Sequence, residues 1–151
     1  MHSICILGVR TLKMYNTMQQ SITIQANDKG EFSLEKPHEL NKLNPKELLL
    51  YSTALCAGMT TLAIAEKERV KLLKLEIKMS GELDTERVEG KSKFVSFHIA
   101  YNAECKHIAD QSKVSHAIQL ANEKYCGGLE MLRKIAPVSH AISIVSIEVE
   151  A

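Results

Sequence analysis

The sequence predicts an α+β fold, and three features lead to that prediction. At 151 residues the chain has the size of one domain, and such a domain buries roughly 70% of its unfolded surface. A long uncharged helix follows the first strand-like pieces. Two alternating strands, two helical pieces and a last strand come after that helix. Strands and helices grouped in this way favour an α+β fold over a parallel βαβ array.

Composition narrows the classes of function. The chain has 19 basic and 18 acidic side chains, and the basic ones are spread along it, so no nucleic-acid partner is expected. Its cysteines are too few and too scattered for a secreted disulfide framework. The first ten residues have no basic start and no small-residue cleavage site, so they do not predict a signal peptide. A reduced, cytoplasmic protein is therefore expected. The four cysteines are Cys5, Cys56, Cys105 and Cys126.

Residues 48–65 contain no charged side chain, which touches the lower length limit for a membrane-spanning helix. Four hydroxyl residues in this run argue against a membrane span, namely Ser52, Thr53, Thr60 and Thr61. A helix buried within a soluble core or a dimer explains the run better, and no membrane partner is expected.

The start of this helix is the clearest local signal. Asn44 predicts an N-cap, and Pro45 suits the first helical position because its missing N–H costs nothing there. Glu47 completes a capping box. The helix is expected to end near Lys67. Before it, residues 4–9 and 21–25 predict strands, and residues 27–43 predict a loop or weak hairpin.

Two strands with a period of two are predicted after the helix, separated by a loop over residues 81–93. The apolar side chains expected on one face of each strand are Leu73, Leu75, Ile77 and Met79 in the first, and Val95, Phe97, Ile99 and Tyr101 in the second.

A second helical region follows these strands. Asp110 is expected to cap it, Gly127-Gly128 interrupts it, and a shorter helical piece continues to Pro137 before a final strand over residues 141–149. The apolar positions expected to face the core are Val114, Ala117, Ile118, Ala121 and Tyr125 in the first piece, and Leu129, Leu132, Ile135 and Ala136 in the second.

Two segments together resemble a known family. Asn44-Pro45-Lys46-Glu47-Leu48-Leu49-Leu50, leading through Ala54-Leu55-Cys56-Ala57-Gly58-Met59-Thr60, resembles the first-helix signature of the OsmC/Ohr family (osmotically inducible protein C and organic hydroperoxide resistance). Ala121-Asn122-Glu123-Lys124-Tyr125-Cys126 is similar to the segment with that family's second cysteine.

The resemblance implies a single OsmC-like domain over residues 1–151. It implies a two-layer fold whose antiparallel sheets wrap around long central helices in an intertwined homodimer. The expected parts are N-terminal strands and loop at 1–43, the central helix at 44–68, a strand hairpin at 70–103, the second helical region at 110–136 and the final strand at 139–150.

The resemblance also implies a thiol peroxidase that reduces organic hydroperoxides. On that basis Cys56 attacks the peroxide to give a sulfenate, Cys126 resolves it as a disulfide, and an external dithiol restores the pair. No cofactor and no metal are expected. Cys105 and His107 lie close in sequence, but nothing completes a four-ligand metal site, and Cys105 and Cys5 are interpreted as buried hydrophobes.

The chain departs from the peroxidase pattern around the first cysteine. The peroxidases activate it with an arginine from the N-terminal hairpin and a glutamate early in the helix, whereas this sequence has Lys46 at the glutamate position and no arginine from residue 15 to residue 65. Possible supporting residues are Glu47, Lys46 and Lys29, with Arg10 more distant. The alternative is a non-peroxidatic OsmC-like protein that binds a small molecule or responds to redox state.

The place of Cys126 allows two effects. If it begins the helix after Gly127, the helix dipole favours its thiolate; if it ends the helix before, the effect reverses. Ser52, one turn before Cys56, either hydrogen-bonds near the thiol or, as is commoner, satisfies a carbonyl of its own helix.

Overall fold

The computed structural model describes residues 17–84 and 92–148, and it confirms the α+β fold. The predicted strand at 4–9, Cys5 and Arg10 lie outside these ranges. The strands are β1 (Thr17–Ala26), β2 (Phe32–Leu34), β3 (Leu72–Asp84), β4 (Lys93–Cys105) and β5 (Val138–Ser146). The helices are α1 (Pro45–Lys67), α2 (Gln111–Leu120) and α3 (Gly127–Arg133), with a π-helical turn at Ala121–Tyr125 and 3-10 turns at Leu40–Lys42 and Ile108–Asp110.

The five strands form one sheet in the order β2-β1-β3-β4-β5. Neighbours are antiparallel except β4 and β5, which run parallel because the chain crosses between them through α2 and α3. The helices cover one face of the sheet: α1 lies on β1 and β3, and α2 lies on β4 and β5. The core forms between these two layers.

The predicted start of α1 is confirmed. The Asn44 side-chain oxygen accepts hydrogen bonds from the backbone N–H groups of Lys46 (3.0 Å) and Glu47 (2.9 Å). The Glu47 carboxylate accepts from the Asn44 N–H at 3.4 Å, which completes the capping box. Pro45 occupies the first turn, and the helix ends at Lys67 as expected.

The helix α1 is long and apolar enough to cross a membrane, as judged by length and composition alone. Core helices of soluble proteins share these properties. In this structure it packs on the sheet and on the later helices. Most of the residues that α1 buries in this packing have small side chains. The buried residues of α1 are Leu50, Thr53, Ala54, Ala57, Gly58, Thr61 and Ala65.

Two predicted core positions in the central strands are wrong, and bulges explain both. Leu72 pairs with Cys105 and Lys74 with Glu104, so Leu73 is an extra residue and Leu72 is buried in its place. Glu82 pairs with Ser96 and Leu83 with Phe94, so Val95 is likewise extra. Val95 is 43% exposed, whereas Phe94 is buried. The loop predicted from residue 81 is also shorter, since β3 continues to Asp84.

The second helical region departs from prediction at three residues. Asp110 makes no side-chain capping bond, because it lies in the 3-10 turn with helical backbone angles. Tyr125 is 55% exposed, since the π-helical turn changes the phase of the helix, and Ile135 is 56% exposed because it follows the end of α3. The final strand spans Val138–Ser146, a few residues earlier than predicted.

We predict that Gly58→Ala destabilises the protein. A Cβ at Gly58 would lie 2.6 Å from Cε1 of Phe32, so the ring of β2 must move away from α1. Such overpacking costs about 1–3 kcal/mol, although the same change at an open helical site stabilises by about 1 kcal/mol. Urea unfolding measures the difference.

The matched control is Gly127→Ala, because a Cβ there meets nothing within 4 Å. This variant should keep or raise the free energy of unfolding. A Gly58→Ala protein that is as stable as the Gly127→Ala protein would contradict the close packing of Phe32 on α1.

Candidate active site

The structure brings Cys56 and Cys126 together. Cys56 lies in the middle of α1, and Cys126 lies between the π-helical turn and α3. The Cys126 thiol is close enough to Cys56 for Cys56 to raise its pKa. The start of α3 packs closely here, since a Cβ on Gly128 would lie 3.4 Å from the Cβ of Cys56. Both sulfurs are present as free thiols.

The two thiols differ in their access to solvent. Cys126 is 3% exposed, whereas Cys56 is only partly buried. A reagent that approaches from solvent therefore meets Cys56 first. Cys105 is buried at a different place, with its thiol 3.5 Å from the carbonyl oxygen of His107, as expected for a small core residue.

Opposing influences act on Cys126. Burial is the largest, and it raises the pKa of this thiol from 9.0 to about 11. The nearby Cys56 also raises it, both by hydrogen bonding and by its negative charge when ionised. The backbone N–H groups of Leu129 and Gly128 lower it. Cys126 thus remains protonated at neutral pH.

The backbone supports one of the two alternatives for Cys126. Its φ of −81° and ψ of 104° are extended, and α3 begins at the next residue, Gly127. Cys126 therefore begins the following helix, where N–H groups favour a thiolate. Burial outweighs that effect in the reduced protein.

The charged residues proposed as supports lie toward the ends of α1, away from its middle. Glu47 belongs to the capping box and forms an ion pair with His38 at 3.2 Å. Lys46 lies ten residues before Cys56, about 15 Å along the helix axis. Lys29 lines a cavity of about 460 Å³ with Leu62 and Arg69, toward the other end of the helix. The Ser52 hydroxyl donates to the Leu49 carbonyl at 2.9 Å, so it satisfies its own helix.

Three polar residues that were not predicted as site residues form a linked set near the thiols. The Tyr101 hydroxyl donates to the side-chain oxygen of Asn122 at 3.0 Å, and both residues are buried. The Arg133 guanidinium donates to the main-chain oxygen of the same asparagine. These contacts join β4, the π-helical turn and α3 beside the two cysteines.

The electrostatics of Tyr101 place its hydroxyl close to the site. Burial is the main cause that raises the pKa of this phenol, and the charge of Cys126 comes next. Arg133 lowers it and Cys56 raises it. The hydroxyl therefore stays protonated, within electrostatic reach of both sulfurs and of the guanidinium.

The spacing of the sequence contains one indication that Arg133 lies near Cys126. This arginine follows Cys126 by seven residues, which is two helical turns and places both on one side of a continuous helix. The cations proposed from the sequence, Lys46, Lys29 and Arg10, all precede Cys56. The strand pattern predicts a core position for Tyr101, no role is predicted for Asn122, and nothing local marks the two as partners. Within residues 17–84 and 92–148, no group of three His, Cys, Asp or Glu could hold a metal ion.

A family model described as OsmC-like protein matches residues 37–141, which is more than half of the chain. The chain belongs to the OsmC-like protein family. Protein YhfA of Escherichia coli K12 is 25% identical over 103 residues, covering 68% of this chain and 74% of that protein.

Solved structures of OsmC-like proteins share the fold. The organic hydroperoxide resistance protein OhrB of Bacillus subtilis has a TM-score of 0.52 and 16% identity, covering 83% of this chain and 98% of its own. A hypothetical protein of Aquifex aeolicus has a TM-score of 0.59 and 22% identity, covering 87% and 98%. The predicted OsmC-like fold is therefore confirmed.

We predict that Gly128→Val slows formation of the bond between Cys56 and Cys126 by about tenfold or more. Beyond the Cβ position, valine methyl groups would press on Cys56 and on the backbone of Thr53, whose Cα lies 3.5 Å away. The clash pushes α3 away from α1 and separates the sulfurs. Oxidation by diamide followed by thiol titration gives the rate.

Gly127→Val provides the control, since position 127 faces open space. It makes the same residue change one position earlier and should oxidise at the wild-type rate. Equal slowing by both variants would contradict the contact between Gly128 and Cys56.

Proposed function

We propose that this OsmC-like protein is a thiol peroxidase that reduces organic hydroperoxides through Cys56 and Cys126. The main support for the proposal is that a partly exposed thiol, Cys56, lies close to a buried, protonated one, Cys126. The exposed member can meet an oxidant, and the buried member can close a disulfide without large movement.

Reduction of the hydroperoxide requires only these two residues and an external dithiol. The Cys56 thiolate attacks the terminal oxygen of the hydroperoxide; the O–O bond breaks, an S–O bond forms, and the alkoxide takes up a proton to become an alcohol. Cys126 then attacks the Cys56 sulfenic acid, a disulfide forms, and water leaves. The dithiol returns two electrons by exchange.

The environment of Cys126 orders these steps. While Cys56 carries a negative charge, that charge helps to keep Cys126 protonated. Oxidation of Cys56 to a neutral sulfenic acid removes this influence, whereas the N–H groups of Gly128 and Leu129 remain. One cause that raises the pKa of Cys126 is then gone, so this sulfur ionises more easily after its partner has reacted than before.

The surroundings of Cys56 support an apolar substrate. Leu55 and Tyr51, beside and about one turn before Cys56 on α1, are partly exposed apolar side chains that pack against the core. The alkyl part of a lipophilic hydroperoxide would bury apolar area against these side chains. Because the disulfide must be re-reduced at each turnover, we place the protein in the cytoplasm.

The test compares wild type with single-cysteine variants after one equivalent of cumene hydroperoxide. Wild type should form a Cys56–Cys126 disulfide far faster than free cysteine oxidises. Cys126→Ser should stop at a Cys56 sulfenic acid that dimedone traps, and Cys56→Ser should lose the fast phase. Stopped-flow kinetics and mass spectrometry follow both products.

Cys105→Ser is the control, because it removes a buried thiol that lies outside the site. It should behave as wild type. If wild type reacts with peroxide no faster than free cysteine but forms the disulfide readily with a disulfide oxidant, the protein is a redox-responsive OsmC-like protein and not a peroxidase.

We also propose that the protein is a homodimer whose interface includes the outer face of α1. Leu48, Leu49 and Met59 are exposed in the uncharged run of this helix, residues 48–65, and the family resemblance implies a second copy as the partner. Met59→Glu should shift the protein toward monomer in sedimentation velocity. Met131→Glu, at a comparably exposed methionine on α3, is the control; equal effects of both would count against this interface.

A further inference from the structure

The π-helical turn before Cys126 changes which carbonyl its backbone uses. The Cys126 N–H donates to the Ala121 oxygen, five residues earlier, at 2.9 Å. In an α-helix the same N–H would bond to Asn122, four residues earlier. The turn therefore releases the Asn122 carbonyl from Cys126. Single π-helical turns of this kind occur often at functional sites.

Arg133 occupies the carbonyl that the turn releases. Its guanidinium donates to the Asn122 main-chain oxygen, and the Asn122 side chain accepts from Tyr101. Asn122 is 2% exposed, so a carbonyl left without a partner here would cost about 1–3 kcal/mol. The main-chain oxygen and the side-chain oxygen of Asn122 thus both accept hydrogen bonds from residues outside the turn.

We infer that Arg133, acting through Asn122, is a positioning residue that holds the π-helical turn and so directs Cys126 toward Cys56. If the turn rewound to an α-helix, the Cys126 N–H would reclaim the Asn122 carbonyl. Residues after the turn would then rotate by about 100° relative to those before it. Cys126 would leave Cys56, and the two thiols could no longer close a disulfide readily.

This inference rests on the thiol pair of the proposed function but not on peroxide as the oxidant. Equilibrium with glutathione tests it separately: the protein dithiol and oxidised glutathione give the protein disulfide and two reduced glutathione molecules. The equilibrium constant reports how well the fold presents the two sulfurs to each other.

Three variants separate position from charge. Arg133→Gln should lower the equilibrium constant for the Cys56–Cys126 disulfide about tenfold or more. Arg133→Lys keeps the charge and a hydrogen-bond donor for the Asn122 carbonyl, so it should recover at least part of that loss. Lys134→Gln removes the same charge from the neighbouring exposed residue and should match wild type.

The peroxide reaction adds a second readout. In Arg133→Gln, formation of the Cys56 sulfenic acid should keep its rate while the following disulfide step slows, so that dimedone traps more of the intermediate. A loss of structure alone would alter both steps. Urea unfolding verifies that each variant is folded before the comparison.

Tyr101→Phe covers the case in which Arg133→Gln does not fold, since it keeps the ring and removes only the bond to the Asn122 side chain. It should lower the same equilibrium constant several-fold. The inference is overturned if folded Arg133→Gln keeps the wild-type equilibrium constant. If Arg133→Gln does not fold, a wild-type constant in Tyr101→Phe overturns it instead. Failure of the peroxide test alone leaves the glutathione result to decide it.

Discussion

The close packing of α1 against its neighbours is the constraint on which the site depends. Gly58 lets the ring of Phe32 approach the helix on one side, and Gly128 brings the start of α3 against Cys56 on another. Because the small residues at these contacts, such as Ala54, Ala57 and Gly58, are buried, a charged side chain in their place would cost far more than it could return. The uncharged run of the sequence and the position of the thiols are therefore two results of the same packing.

Packing also makes the two cysteines unequal. Both are thiols at the same contact, yet Cys126 is enclosed and Cys56 retains access to solvent. Burial alone would leave Cys126 inert. The N–H groups at the start of α3 counter part of that penalty, and the influence of Cys56 depends on whether Cys56 is ionised. The contact with Cys56 thus helps to keep Cys126 protonated in the reduced protein, and oxidation of Cys56 removes that effect.

Signals that depend on neighbouring residues were readable from the sequence, and signals that depend on distant partners were not. The N-cap at Asn44 involves atoms within three residues, so residue types alone predicted it. The fold class followed from the order of elements. The bulges at Leu73 and Val95 could not be predicted, because an alternating pattern does not show where a partner strand has one residue fewer.

The error at Tyr125 and the unexpected contact of Arg133 have one structural cause. The prediction applied a period of 3.6 residues to the whole second helical region, which puts Tyr125 one turn after the buried Ala121. In the structure the residue that returns to the buried side is Cys126, five positions along, and Tyr125 is exposed. The same extra residue releases the carbonyl that Arg133 binds. A wider turn therefore explains the exposed tyrosine, the buried cysteine and the arginine contact together.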